Sequence, residues 1–172
     1  MKQTTMPTAA NLGRQQFFRG IPWPQLEALA AVAACADFAA EEVIFREGEE
    51  ANRFFLLLSG KVALETTAVA RRVQLQTIGV GEALGWSWVF PPFQWQFTAR
   101  ALEPVHAFFF HAPTLRQRLD EDPILGHAVM RRVAEVLLER LQATRSRLAV
   151  VEQAAAGLPI RLVPLAGSAT AS

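Results

Sequence analysis

Gly79-Val80-Gly81-Glu82-Ala83-Leu84-Gly85-Trp86-Ser87-Trp88-Val89-Phe90-Pro91-Pro92-Phe93-Gln94-Trp95-Gln96-Phe97-Thr98-Ala99-Arg100-Ala101 is the stretch whose reading decides the fold of this 172-residue chain. Two glycines bracket Val80, the run Glu82-Ala83-Leu84 suits the start of a short helix, and a strand-like segment begins near Gln96. A glycine turn that enters a helix leaves backbone N–H groups unpaired and aimed one way, which makes a cradle for an anion. Between the two ends the side chains are mostly aromatic: Trp86, Trp88, Phe90, Phe93, Trp95 and Phe97. Glu82 and Arg100 are the only charged residues in the stretch.

Outward from it, residues 37–111 break into short apolar runs separated by turn signals, the pattern of a β-sandwich or barrel. Glu42-Val43-Ile44-Phe45 is one run, closed by the polar turn Arg46-Glu47-Gly48-Glu49. Arg53-Phe54-Phe55-Leu56-Leu57-Leu58 is apolar on both faces and predicts a buried strand, and Ser59-Gly60 predicts a tight hairpin into Lys61-Val62-Ala63-Leu64-Glu65. Arg72-Val73-Gln74-Leu75-Gln76-Thr77 alternates cleanly, which puts Val73 and Leu75 inside. Ala107-Phe108-Phe109-Phe110-His111 supplies the last strand.

These blocks resemble the cyclic nucleotide-binding domains of the CRP/FNR superfamily. Phe45-Arg46-Glu47-Gly48-Glu49 and the run from Phe55 through Gly60 to Val62 match the acidic glycine turn and the buried strand that follows it. Gly81-Glu82-Ala83-Leu84 and Phe97-Thr98-Ala99-Arg100-Ala101 match the two ends of the phosphate cassette. The resemblance implies a mainly β fold with flanking α: a β-roll of the cyclic nucleotide-binding type (a jelly-roll, cupin-like double-stranded β-helix), N-terminal helices and a long C-terminal helix. It makes Gly81, Glu82, Ala83, Leu84, Trp86, Trp88, Trp95, Gln96, Thr98 and Arg100 the candidate ligand-binding positions. In the family a cassette arginine grips the cyclic phosphate and a glutamate accepts from the ribose. Glu82 stands at the glutamate, but Trp95 stands at the arginine, or Gln94 if the register slips by one. The loop is also several residues longer than usual and is stiffened by Pro91-Pro92.

A buried phosphate needs charge-assisted partners, so a cyclic nucleotide held in the usual way is not expected here. Arg100 shares a strand face with Thr98 and could substitute only in a different phosphate pose. Three other readings stay open. The rings fill their own pocket, an apolar or planar ligand stacks between them, or they cage an ammonium.

Residues 1–10 are small and polar and read as a flexible tail, after which Leu12, Phe17, Phe18 and Ile21 recur at near-helical spacing. Gly20, Pro22 and Pro24 interrupt that run before a second helix over residues 24–34. Residues 113–120 form a short helix, and Asp122-Pro123 gives the N-cap and first-turn proline of a long one reaching about residue 150. Along it Met130, Val133, Leu137, Leu141, Thr144 and Leu148 recur every three or four residues among arginines and glutamates, the seam of a helix that packs on one partner. Spacing alone leaves the partner open between a second copy and the chain's own barrel; the resemblance implies a homodimer. Residues 11–150 thus read as one domain and 151–172 as a short extension. In it Ile160-Arg161-Leu162-Val163-Pro164-Leu165 would pair as an edge strand or cover an apolar patch, and residues 166–172 would be disordered. That extension is too short for the winged helix-turn-helix with which CRP/FNR factors read DNA, so no direct DNA binding is expected.

Composition narrows the function further. A net charge of +1 gives no basic excess for a nucleic acid, and no apolar run reaches the length of a membrane span. Cys35, the single cysteine, leaves no internal disulfide and reads as a small buried hydrophobe; with no charged-then-apolar leader, the cytoplasm is the expected compartment. His106 and His111 lie an odd number of residues apart on one strand and His127 lies on the long helix, so no metal set forms. No nucleophile elbow, P-loop or dinucleotide glycine motif is present, so neither an enzyme nor a cofactor is expected. The reading is a non-catalytic effector-sensing regulatory module, with a small-molecule effector and a partner protein as candidate ligands. Its alternatives are a structural or interaction dimer whose pocket is filled, and a regulator forming mixed dimers with a CRP/FNR transcription factor.

Overall fold

Aromatic and β-branched residues fill the middle of the chain, and there a computed structural model, which describes residues 6–68 and 71–157, places the strands. In chain order the elements are α1 (Ala9–Gly13), a single 3-10 turn (Gln16–Phe18), α2 (Trp23–Ala30), β1 (Ala33–Phe38), β2 (Val43–Phe45), β3 (Arg53–Ser59), β4 (Val62–Ala68), β5 (Arg71–Ile78), β6 (Ala83–Leu84), β7 (Thr98–Ala101), β8 (Val105–His111), α3 (Ala112–Glu121) and α4 (Pro123–Ala155). The strands form two antiparallel four-stranded sheets, ordered β1-β8-β3-β6 and β2-β7-β4-β5. This is the β-roll with flanking helices and a long C-terminal helix expected from the sequence. The chain divides into two compact units, Met1–Val133 and Ala134–Ser172.

β3 is apolar on both faces because both are covered. On one face Phe54 stands opposite Phe110 and Leu56 opposite Phe108. Phe17 and Phe18 from the N-terminal turn pack on that face, with ring centroids 5.3 Å from Phe54 and 5.8 Å from Phe110 respectively. On the other face Phe55 stands opposite Phe109 and meets Phe38 edge-on at 5.7 Å. Leu12, Phe17, Phe18 and Ile21 are all buried, which accounts for their spacing. At the α3–α4 corner the Asp122 carboxylate accepts the N–H groups of Ile124 (3.0 Å) and Leu125 (3.1 Å), the N-cap read from the sequence. The Leu125 N–H above all, then the Gln25 amide and the Ile124 N–H, hold that carboxyl below the usual range. The corner is tight because a Cβ at Gly126 would lie 2.5 Å from the Leu119 carbonyl oxygen.

Several local expectations are corrected. Ser59-Gly60 does not make a hairpin: β3 already pairs with β8 and β6, so the chain crosses to the other sheet, where β4 pairs with β5 and β7. Gly60 makes that crossing at φ +85°, where a Cβ would sit 2.5 Å from the Pro104 carbonyl oxygen. Val73 and Leu75 are not inside but 41% and 43% exposed. β5 is an edge strand, and Val73 pairs with Thr66 beyond the last β4–β7 pair, Glu65 with Thr98, where β7 no longer extends the sheet. The run Glu82-Ala83-Leu84 forms no helix but the short strand β6, because the edge of β3 accepts it. α2 ends at Ala30, and Ala33 and Ala34 already belong to β1. α1 starts at Ala9, inside the stretch read as a tail, with the Thr8 hydroxyl accepting the Asn11 N–H at 3.2 Å. The strand expected near Gln96 starts at Thr98, and the long helix reaches Ala155 rather than about residue 150. The expected strand or cover at Ile160–Leu165, and the disorder after it, lie outside the described residues.

Candidate ligand site

The cassette is built by two pieces of backbone pairing. At its start, Gly81 N–H donates to the Leu57 carbonyl (2.8 Å) and Leu57 N–H to the Glu82 carbonyl (3.1 Å), which carries Ala83 and Leu84 into β6 as buried residues. At its end, Ala51 N–H donates to Phe93 O (2.6 Å), Trp95 N–H to Glu49 O (2.9 Å) and Gly48 N–H to Trp95 O (2.8 Å). The acidic glycine turn therefore clasps the far end of the loop. It fixes Trp95 with its ring face stacked on Phe45, at 3.8 Å and 12° between planes. The outer edge of the indole lies against Gly85, where a Cβ would be only 2.6 Å from it. Trp95 is 2% exposed and packed inside the roll.

The charged candidates are engaged elsewhere. The Glu82 carboxylate turns back and accepts the Gly79 N–H at 2.5 Å, the local role open to a carboxylate beside a glycine turn. Arg100 lies on the face of β7 opposite the buried Ala99 and Ala101, where it pairs with Glu65 at 3.3 Å and donates to the Glu41 carbonyl at 3.0 Å. On the same face the Thr98 hydroxyl accepts the Glu47 N–H at 3.1 Å. Gln96 is exposed and donates to the Gln94 carbonyl at 3.1 Å.

The rings do not converge on one cage. Trp95 joins Phe45, Trp86 meets Phe97 edge-on at 5.3 Å, and Trp88 packs on Phe54 at 5.6 Å, on the sheet face covered by Phe17. Trp88 is 1% exposed, and neither its indole Nε1 nor the buried Ser87 hydroxyl has a hydrogen-bond partner. Arg116 on α3, which the sequence does not single out, donates to the Trp88 carbonyl at 2.7 Å and lays its guanidinium 4.3 Å from the centre of the Phe93 ring. No local spacing signals that residue, because its partners lie 23 and 28 positions away in the chain.

The remaining candidates are dispersed. His106 meets Asp37 at 2.9 Å across the β1–β8 pair, and His111 meets Thr114 at 3.0 Å. Among the described residues, no group of three or more metal-ligating side chains comes together. Cys35 is half-buried rather than buried, and burial followed by the charge of Asp37 pushes its thiol up, away from the reactive thiolate. On the long helix Val133 is buried and Met130 half-buried, while in the second unit Leu137 is half-buried and Leu141 and Leu148 are 56% and 57% exposed. No described helix is long and apolar enough to cross a membrane.

Comparison with known proteins agrees with this architecture. The family model of the cyclic nucleotide-binding domain matches residues 36–122. A CRP-like cAMP-activated global transcriptional regulator of Mycobacterium tuberculosis is 29% identical over 139 residues, covering 80% of this chain and 60% of the regulator. The chain therefore spans about three fifths of the length of the curated relative it matches. A Geobacter metallireducens protein assigned to cyclic nucleotide binding aligns with a TM-score of 0.71 and 28% identity, over 78% of this chain and 98% of its own. The N-terminal domain of a Streptomyces coelicolor transcriptional regulator aligns with a TM-score of 0.63 and 27% identity, over 77% of this chain and 94% of its own. With the roll, the clasped cassette and these matches in agreement, the chain belongs to the cyclic nucleotide-binding domain family of the CRP/FNR superfamily.

Proposed function

We propose that this protein is a non-catalytic regulatory module of the CRP/FNR type whose cassette does not take a cyclic nucleotide in the usual way. The observation that carries the reading is Trp95, buried between Phe45 and Gly85; the family resemblance aligns this residue, or Gln94, with the phosphate-binding arginine. Glu82 and Arg100, the two charged residues of the cassette, are committed to Gly79 and to Glu65 with the Glu41 carbonyl. A cyclic phosphate entering the roll would displace an indole and find no cation. A hydrogen bond to a charged group is worth about 1.5–3 kcal/mol, and an unpaired buried charge costs more than that. Output would pass through α4, pairing two copies along Met130, Val133, Leu137, Leu141 and Leu148, in a cytoplasmic setting.

Thermal-shift and calorimetric titration with cyclic AMP and cyclic GMP tests the cassette. The expected result is no stabilisation by either nucleotide at millimolar concentration. Clear stabilisation that disappears in Arg100→Ala would overturn the reading and make Arg100 the phosphate ligand.

A further inference from the structure

A cleft of about 490 Å³ lies between the cassette loop and the α3–α4 corner, within the first compact unit. That volume falls in the range of small-molecule sites. Trp88 and Phe90 wall it on the loop side and Arg116, Leu119, His127 and Met130 on the helix side. Apolar atoms dominate the walls. Arg116 is the cation set into them: it is half-buried, it donates to the Trp88 carbonyl and lies over the Phe93 ring, and among the described residues no carboxylate pairs with it. Asp120 and His127 also border the cleft, but both side chains are exposed, so water screens the repulsion Asp120 would exert on an anion. The Ile124 and Leu125 N–H groups at the start of α4 are already taken by Asp122 and offer an anion nothing. An apolar cleft whose half-buried cation has no carboxylate paired with it among the described residues selects a ligand with an apolar body and a single negative head.

We propose that this cleft is a binding site for an apolar monocarboxylic acid, whose carboxylate pairs with Arg116 and whose body lies against Phe90, Leu119 and Met130. Such a ligand touches the cassette loop and both helices of the corner, so its binding favours one packing of the loop on α3 and α4. In the present packing of the loop Trp88 Nε1 and Ser87 Oγ are buried without a hydrogen-bond partner, so a shift that partners them would offset part of its own cost. The assignment deepens the regulatory reading by naming the effector class, and the role of effector rests on that reading.

The test is calorimetric titration of the whole protein with octanoate and 3-phenylpropanoate beside 1-octanol and octylamine, with cyclic AMP run in parallel. The expected result is that the acids bind at least tenfold more tightly than the alcohol or the amine, and that Arg116→Gln weakens them tenfold or more. Because Arg116 also holds the Trp88 carbonyl, His127→Trp is the second variant: it plugs the cleft from an exposed position, keeps the Arg116 contacts, and should weaken both acids similarly. Failure of both acids to bind at 10 mM, equal binding of alcohol and acid, or full binding by folded His127→Trp overturns the site. Binding of cyclic AMP would overturn the proposed cassette reading while leaving the result for the cleft to stand on its own.

Discussion

The proposed replacement of a phosphate-binding cation by Trp95 would change the site more than the loss of the charge suggests, because the larger side chain also takes the space. Trp95 occupies its position only because Gly85 has no Cβ, and Gly85 itself sits at φ +84°, where an L side chain is strained. Gly85→Ala is therefore expected to lower stability by about 1–3 kcal/mol, the cost of a non-glycine residue in that region, with further loss from the displaced indole. Trp95→Ala should also destabilise, through the lost stack on Phe45 and the cavity it leaves. In the double variant the indole clash is gone, so its loss in urea denaturation should be smaller than the sum of the two single losses. Additive losses would mean that the two residues do not share this contact.

Among the elements, β3 and β5 show why a hydrophobic pattern is legible in one strand and misleading in another. The β3 run is apolar on both faces, and the molecule buries both, so sequence and structure agree from Phe54 to Leu57. β5 alternates as regularly as any half-buried strand, yet Val73 is 41% exposed. Alternation encodes two unlike faces; it does not encode whether a second sheet reaches that far. Val73→Ala should change stability by no more than about 0.5 kcal/mol, as for an ordinary surface position. Phe108→Ala, at a fully buried position opposite Leu56 and Cys35, should cost about 3–5 kcal/mol. Urea midpoints of the two variants check the contrast, and a large loss at Val73 would place that side chain in a core.

At the scale of the whole molecule, the regulatory proposal depends on α4. A helix of 33 residues keeps Leu138, Leu141 and Leu148 exposed in the single chain, more apolar surface than a solvated helix needs to hold its shape. Pairing with the same helix of a second copy would cover Leu141 and Leu148. Leu141→Glu combined with Leu148→Glu is expected to convert a dimer into a folded monomer in sedimentation velocity, since two carboxylates would face their own copies across the seam. A wild-type protein that sediments as a monomer at tens of micromolar would remove the dimer from the proposed mechanism.

The sequence by itself determined the elements whose signals are local. The apolar run of β3, the glycine turns on either side of it and the Asp122-Pro123 start of α4 can each be read from neighbours in the chain. Tertiary structure alone decided which strand edges met. That choice sent β4 to the other sheet rather than into a hairpin, and drew Ala83 and Leu84 onto β3 rather than into a helix. It also set Arg116 under the cassette loop, 28 residues from the carbonyl it holds. The physical reason is the same in each case: periodicity and turn chemistry act over a few residues, whereas strand pairing and the placing of a buried cation are settled by partners distant in the chain.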